Sequence, residues 1–421
     1  MTVDAFTEIR KRALQRIDNL GVDTATEDDQ LRDLLEREID DYQAQASLGN
    51  GLALADPRST LERLYRSVSA HGVLGDLIDR DDVEEIFIEG SRVSYLEAGG
   101  SLRALDTPST EEENRRVVER LIASTDRRLD ASAPIAQARI LDGTARLSAV
   151  IPPVADRLSA TIRRYALRRE TLVSLVELGS ITPEAKAFLD LAMAASVSVI
   201  VSGPPGAGKT SFLSALIAAV PPEHCIRACE EVRELHVPLI HGSYYEARPP
   251  SLDGGGEISL RDLVKVTLAM RPDLIVVGEV RGAEAFELTR AVNAGCGMAC
   301  TIHANSAPDA LNALVNAALM AGENVPETVV RKVFASSLDF VIHLDRMTDA
   351  RTGSIIRQVV EIRALVPSLH DDFSTEPLFV RDRIGASLEW TGALPPPQLT
   401  RRLARYLPDG ESVGSIMGGG P

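Results

Sequence analysis

The chain is short of aromatic residues, with one Trp, seven Tyr and nine Phe in 421 positions, so Ala, Val, Leu and Ile must fill its core. It lacks a basic balance: 45 Lys and Arg stand against 61 Asp and Glu, a formal net charge of -16. Such a surface repels phosphodiester backbones, which argues against nucleic acid as the default partner. No stretch reaches the ~18 consecutive apolar residues needed to span a bilayer. The nearest, FLDLAMAASVSVIVSG, is interrupted by Asp190 and diluted by Ser196 and Ser198. The N-terminal MTVDAFTEIRKRALQR has no apolar segment of the signal-peptide kind. A cytoplasmic location follows as the expectation, with any membrane contact indirect. Only four cysteines occur, as Cys225/Cys229 and Cys296/Cys300. The two pairs are far apart and lack the two-residue spacing common in zinc modules, so they read as buried reduced thiols on strands. No internal repeat is visible.

What is present falls into segments. Residues 1–75 read as a helical segment, with apolar stripes at Phe6, Ile9, Ala13, Leu14 and Ile17, then Leu31, Leu34, Leu35, Ile39 and Tyr42. The run from Asp23 to Asp41 holds nine acids and two arginines, the composition of a solvated helix face. Residues 76–165 read as a small α+β domain. Its strands are VEEIFIEG, VSYLEAGG and LSATIRRY, its helix begins at Ser109 or Thr110, and a hairpin turns at Asp142-Gly143. Residues 166–178 read as a linker. From 179 to 366 strands and helices alternate, which predicts an α/β domain with a parallel sheet between helices. Residues 367–421, with GALPPPQ and a terminal GGGP, read as a partly disordered C-terminal extension.

GPPGAGKT, Gly203 to Thr210, fits G-x-x-x-x-G-K-[ST] without a gap, and it stands between an apolar strand and a helix, as the motif requires. Gly203, Pro204, Pro205, Gly206, Ala207 and Gly208 form a loop of small residues whose N–H groups can wrap a phosphate, and Ser211 follows on the helix. Lys209 reaches the β- and γ-phosphates, and the Thr210 hydroxyl ligates Mg²⁺. The guanine-reading N-K-x-D pattern of GTPases is absent. Downstream, CEEVREL sets Glu230, Glu231 and Glu234 after one strand, DLIVVGEVRG sets Glu279 after another, and TIHAN sets His303 after a third. The C-terminal ends of parallel strands line one edge, so these groups converge on one nucleotide.

In this combination the chain resembles the secretion-ATPase superfamily, the motors of type II and type IV secretion and of type IV pilus assembly, and is most similar to the tight-adherence pilus branch. That family carries a phosphate loop, an acidic box like E-D-x-x-E, a Walker B strand ending in Gly-Glu and a His box ending in T-x-H-A/T-N. These fall on Gly203 to Thr210, Glu230 to Glu234, Gly278-Glu279 and Thr301 to Asn305. VEEIFIEG, RRLDASAPIAQARILDG, AVIPP, TIRRY, EARPPSLDGGGEISLRDLVKVTLAMRPD and VRGAEAF match as well, so the resemblance covers roughly residues 76 to 365. It implies a RecA-like P-loop motor domain, ATP and Mg²⁺ as ligands, and a homohexameric ring. The ring would power pilus assembly or secretion through an inner-membrane platform. It implies Glu279 holding Mg²⁺, directly or through water, or polarising the attacking water, Glu234 as leading general base, and His303 as γ-phosphate sensor. Which carboxylate takes the proton is left open. Arg139, Arg146, Arg163 and Arg164 match basic positions of the small domain, and Arg248, Arg271 and Arg281 match positions of the motor domain, as candidates to stabilise the transferring phosphoryl group. Two departures stand out: Glu231 replaces the usual Asp, and Cys296 replaces a usual His. Alternative readings are a nucleic-acid translocase on the same core and an ATP-gated scaffold with little turnover, the latter resting on Cys296.

Overall fold

The computed structural model describes the chain except residues 1–4, 21–27, 49–52, 55, 69–70, 98–99, 101, 126, 166–170, 236, 251–254, 350, 352–353, 368–372 and 419–421. It divides into two compact units, Met1–Tyr165 and Ala166–Pro421. Of the expected linker 166–178, residues 166–170 lie outside the described residues, as do part of the acidic N-terminal run and the terminal 419–421, whereas 172–177 form a helix that packs Leu172 and Leu175 into the core of the second unit.

The first unit has two apolar cores. Helices α1 (Ala5–Leu20), α2 (Asp28–Ser47) and α3 (Pro57–Val68) bury Ile9, Ala13, Leu31, Leu35, Ile39, Tyr42 and Leu64, the stripes visible in the sequence. After the short α4 (Gly75–Ile78), strands β1 (Val83–Glu89), β2 (Arg92–Glu97) and β3 (Leu102–Ala104) lead into α5 (Glu111–Ala123), which is followed by β4 (Ile135–Ile140), β5 (Ala145–Val150) and β6 (Ser159–Arg164). The six strands form one sheet in the order β3-β2-β1-β6-β5-β4. Of the two cap candidates Thr110 is chosen, because its hydroxyl accepts from Glu113 N while the Glu113 carboxylate accepts from Thr110 N. Strand β3, with no buried residue, has no apolar alternation and was not anticipated.

The second unit opens with α6 (Leu172–Glu177), α7 (Pro183–Ala194), β7 (Val199–Gly203), α8 (Lys209–Ala218), β8 (Ile226–Glu230), β9 (Gly242–Glu246) and α9 (Leu260–Leu268). It continues with β10 (Leu274–Val277), α10 (Glu284–Asn293), β11 (Gly297–His303), α11 (Ala307–Leu319), α12 (Glu327–Ser337), β12 (Phe340–Thr348) and β13 (Ile355–Val366). It ends with β14 (Ser374–Arg381), β15 (Leu388–Trp390), α13 (Pro397–Leu403) and α14 (Val413–Gly418). Nine strands form one sheet, β15-β14-β13-β12-β7-β11-β10-β8-β9. The run from β12 to β9 is parallel, as expected, and its central strands are buried along their whole length. Strands β13 to β15 are antiparallel, so the sheet is mixed.

The C-terminal residues correct the sequence reading. Instead of a partly disordered extension, 374–418 carry two strands and two helices that complete the core. Leu378, Phe379, Leu388, Leu399, Leu403, Val413 and Met417 are buried in the same cluster as Phe188 and Phe340. The Phe188 ring stands edge-on to Phe340 at 5.2 Å and tilted to Phe379 at 5.7 Å. Arg381, 4% exposed, donates to Val359 O at 2.7 Å and Ser180 O at 2.8 Å, tying β14 to the turn before α7. The prolines misled because Pro is also a helix starter: Pro397 occupies the first turn of α13, where its missing N–H costs nothing. Phe379→Ala should therefore cost about 3–5 kcal/mol, the usual loss for a fully buried aromatic ring. Urea unfolding of the whole chain measures it, and an unchanged midpoint would show that this segment does not belong to the core.

Candidate functional site

The turn from β7 into α8 is built on glycines, each for a local steric or conformational reason. A Cβ on Gly203 would lie 2.4 Å from the Leu344 carbonyl oxygen of neighbouring β12. Gly206 and Gly208 have φ of +73° and +88°, a backbone region that side chains disfavour. Gly208 is the N-cap residue of α8, so the helix N-terminus opens at this turn. Thr210, half-buried, and Ser211, exposed, lie in its first turn, while Pro204 is half-buried, Pro205 exposed and Ala207 buried.

Lys209 is only 8% exposed. Its Nζ donates to the Gly203 and Pro204 carbonyls, both at 3.1 Å, and lies 3.1 Å from His303 Nδ1. An ammonium can only donate, so Nδ1 accepts and the ring hydrogen sits on Nε2. That nitrogen is 2.8 Å from Glu279 Oε1. The approach is off the line of a hydrogen bond, and Oε1 is a buried oxygen without an aligned donor. Glu279 Oε2 accepts from Arg281 Nη2 at 2.7 Å. Burial pushes the Glu279 carboxyl up, but the Arg281 hydrogen bond and charge, with His303 and Lys209 behind them, outweigh it and hold it below 4.5. Burial and then the Lys209 charge pull His303 below 6.5, against the opposing Glu279 charge. At neutral pH the pair is therefore a carboxylate beside a neutral imidazole. Arg281 feels Glu231 and Glu234 as well as Glu279, which brings both acids into the same field.

The strand ending Gly278-Glu279, in place of the aspartate usual at the end of a Walker B strand, has a steric cause. A Cβ on Gly278 would meet Glu230 Cγ at 2.7 Å and Oε1 at 3.0 Å. The Glu230 side chain, 3% exposed, crosses the end of β10 and fills that space. Its Oε1 accepts from Glu234 N at 3.0 Å and Leu235 N at 3.1 Å, which fixes the turn carrying Glu234. Glu230 is thus a buried strut, whereas Glu231 is exposed and Glu234 half-buried.

The remaining candidates scatter. Arg271 precedes β10 and Cys296 precedes β11, at the strand starts, on the opposite edge of the sheet from the loop. Seven residues of strand separate Cys296 from His303, or about 20 Å at ~3.3 Å per residue. Cys for His at 296 therefore leaves this unit's own phosphate loop untouched. Arg248 donates to the Gly256 carbonyl at 2.6 Å in the connection from β9 to α9. Arg139, Arg146 and Arg163 stand abreast on β4, β5 and β6 of the first unit, with Arg163 3.4 Å from Glu85, while Arg164 turns to the Arg80 carbonyl. The four cysteines are free. Burial raises Cys229 and Cys296 to about 11 and Cys300 to about 12, so those three stay protonated. Among the described residues no His/Cys/Asp/Glu group forms a metal cluster. Two arginines that sequence reasoning missed, Arg346 and Arg357, stand against the phosphate loop. They lie roughly 140–150 residues downstream, in no motif.

Burial raises the Glu230 carboxyl from 4.5 to about 7, against the two backbone hydrogen bonds that lower it. The folded chain then holds a proton that the unfolded chain has released, so this group's contribution is full below pH 4.5 and drains as pH rises to about 7. Glu230→Gln, uncharged throughout, should lose less stability than the wild type over that window. Urea midpoints at matched pH test this, and parallel curves would refute it.

Residues 84–370 match the family described as Type II/IV secretion system protein. The chain is 33% identical over 317 residues to a putative conjugal transfer protein of Mycobacterium tuberculosis, covering 73% of this chain and 88% of that one. It is 29% identical over 322 residues to the type IV secretion system protein PtlH of Bordetella pertussis, covering 68% and 91%. In fold it is similar to the ATPase DotB of Yersinia pseudotuberculosis, with a TM-score of 0.51, 16% identity and coverage of 73% and 80%. No helix among the described residues is long and apolar enough to cross a membrane. With two thirds of its length matched by one family model, the chain belongs to the Type II/IV secretion system protein family.

Proposed function

We propose that this protein is an ATPase motor that hydrolyses ATP to power pilus assembly or protein secretion. The observation that carries the reading is the buried Lys209 ammonium at the mouth of a glycine loop, linked through His303 to Glu279 and Arg281. Such a loop receives a polyphosphate on its N–H groups and the start of α8, and Lys209 adds charge at the β- and γ-phosphates. Thr210 and Glu279 would hold Mg²⁺, and the buried, unaligned Oε1 of Glu279 suits a cation or its water. When bound, the ion neutralises charge developing on the phosphates. Glu234, positioned by the Glu230 strut, orients and deprotonates the attacking water as general base, with Glu279 as the competing candidate. His303, neutral and contacting both Lys209 and Glu279, is placed to sense the γ-phosphate. Arg281 holds Glu279 ionised. Support for the pilus or secretion role comes from the family, and the tight-adherence motifs support that branch as the finer reading. A homohexamer docked on an inner-membrane platform, cytoplasmic and touching the membrane only through partners, completes the proposal. Arginines of a neighbouring small domain would then serve the site.

Lys209→Ala should abolish hydrolysis, and undiminished turnover by the purified variant would overturn the loop's assignment. Glu279→Gln should keep nucleotide binding and slow hydrolysis by ~10²–10⁴-fold, the usual loss for a missing acid–base group. A normal kcat would return Glu279 to an ordinary strand end. If the active form is a ring, specific activity should rise with protein concentration as light scattering reports assembly. A monomer with full activity at every dilution would exclude the ring.

A further inference from the structure

We propose that Arg346 and Arg357 form a clamp on the outer flank of the phosphate loop and bind the polyphosphate that ATP and ADP share. The inference rests on the ATP reading above and extends it to residues that no motif marks.

Arg346 on β12 and Arg357 on β13 are direct cross-strand partners. Like charges placed opposite one another destabilise a sheet unless something of opposite sign lies near them. Both lean on the same short stretch of backbone. Arg357 Nε donates to the Gly206 carbonyl at 3.0 Å, and its Cδ lies 3.7 Å from the Cβ position of Gly208. Arg346 Nη1 and Cζ lie 2.6 Å and 3.4 Å from the Cβ position of Gly206. Asp345 accepts the backbone N–H of Arg346, and among the described residues no carboxylate forms an ion pair with the Arg346 guanidinium. In a chain with an excess of 16 negative charges, an exposed Arg346 guanidinium held against this loop, with no carboxylate paired to it among the described residues, calls for an anion. The anion that this loop is shaped to receive is a polyphosphate, which planar guanidinium groups bind through paired hydrogen bonds.

Sheet order separates this pair from the hydrolytic groups. Strand β7 runs between β11 and β12. His303 and Glu279 lie on the β11 and β10 side, the two arginines on the β12 and β13 side. Groups on that flank act on what substrate and product have in common, so their energy goes into uniform binding. Arg357, half-buried and already hydrogen-bonded to the loop, also holds the loop's shape, whereas Arg346 is exposed and contributes chiefly charge.

The test uses the full chain with Arg346→Ala, Arg346→Lys, Arg357→Ala and, in parallel, Lys209→Ala. Affinity is read with fluorescent N-methylanthraniloyl ATP and ADP, and turnover as KM and kcat. Arg346→Ala should weaken both nucleotides by about tenfold or more, the loss expected for a charge-assisted hydrogen bond. Its fall in activity should reside in KM, and Arg346→Lys should recover part of the affinity. Its melting temperature without nucleotide should be at least that of the wild type, since one of two opposed like charges is gone, while the nucleotide-induced rise shrinks. Unchanged affinity in Arg346→Ala, weakening of ATP alone, or a loss confined to kcat would overturn the clamp. Should Arg357→Ala fail to fold, Arg346→Ala decides alone. If Lys209→Ala loses nucleotide but Arg346→Ala does not, only the clamp falls. If Lys209→Ala binds and hydrolyses normally, the ATP reading falls with it.

Discussion

A buried ammonium group must be surrounded by acceptors, and the second unit is organised around that requirement at Lys209. Two acceptors are carbonyls of its own loop, available only because the backbone turns through left-handed glycines. The third is an imidazole from β11, which is within reach because β7 and β11 pair with His303 opposite Gly203. Accepting from lysine fixes the His303 tautomer and turns its N–H edge toward Glu279, which Arg281 holds ionised. The lysine charge thus bears on His303 at the end of β11 and, more weakly than Arg281 does, on Glu279 beyond β10.

Close backbone approach is the second constraint, and it falls on the glycines. Gly203 yields to the Leu344 carbonyl and Gly278 to the Glu230 side chain. The second case gives a physical account of the missing aspartate at the end of β10. The position is already filled, from β8, by a carboxylate buried among the strands and spent on holding the turn of Glu234. An acidic residue at 278 would have nowhere to go.

The C-terminal residues show how an ordered core can look like a tail. Their apolar residues are spaced among prolines and charges, without the long alternation that marks a central strand. Their burial depends on β13 being in place to pair with β14, and on Phe188 of α7 being there to receive Phe379. Arg381 reads as a surface residue, yet it is buried because carbonyls of Gly179, Ser180 and Val359 converge on its guanidinium.

The sequence by itself determined the stripes of the N-terminal helices, the hairpin at Asp142-Gly143 and the alternation of β7, β8, β10 and β11 with their helices, though not the edge strand β9. It determined the phosphate loop as well, because that loop is local: eight consecutive residues carry their own turn, cap and lysine. It also placed Glu234, Glu279 and His303 at one edge, since strand ends in a parallel sheet share an edge whatever their order. Only the tertiary structure decided the rest. It separated Glu230 as a strut from Glu231 and Glu234. It moved Cys296 and Arg271 to the far edge, because a strand has two ends and sequence spacing alone does not say which end faces the loop. It also brought Arg346 and Arg357 onto Gly206, through the pairing of β12 with both β7 and β13, a non-local contact that no local pattern encodes.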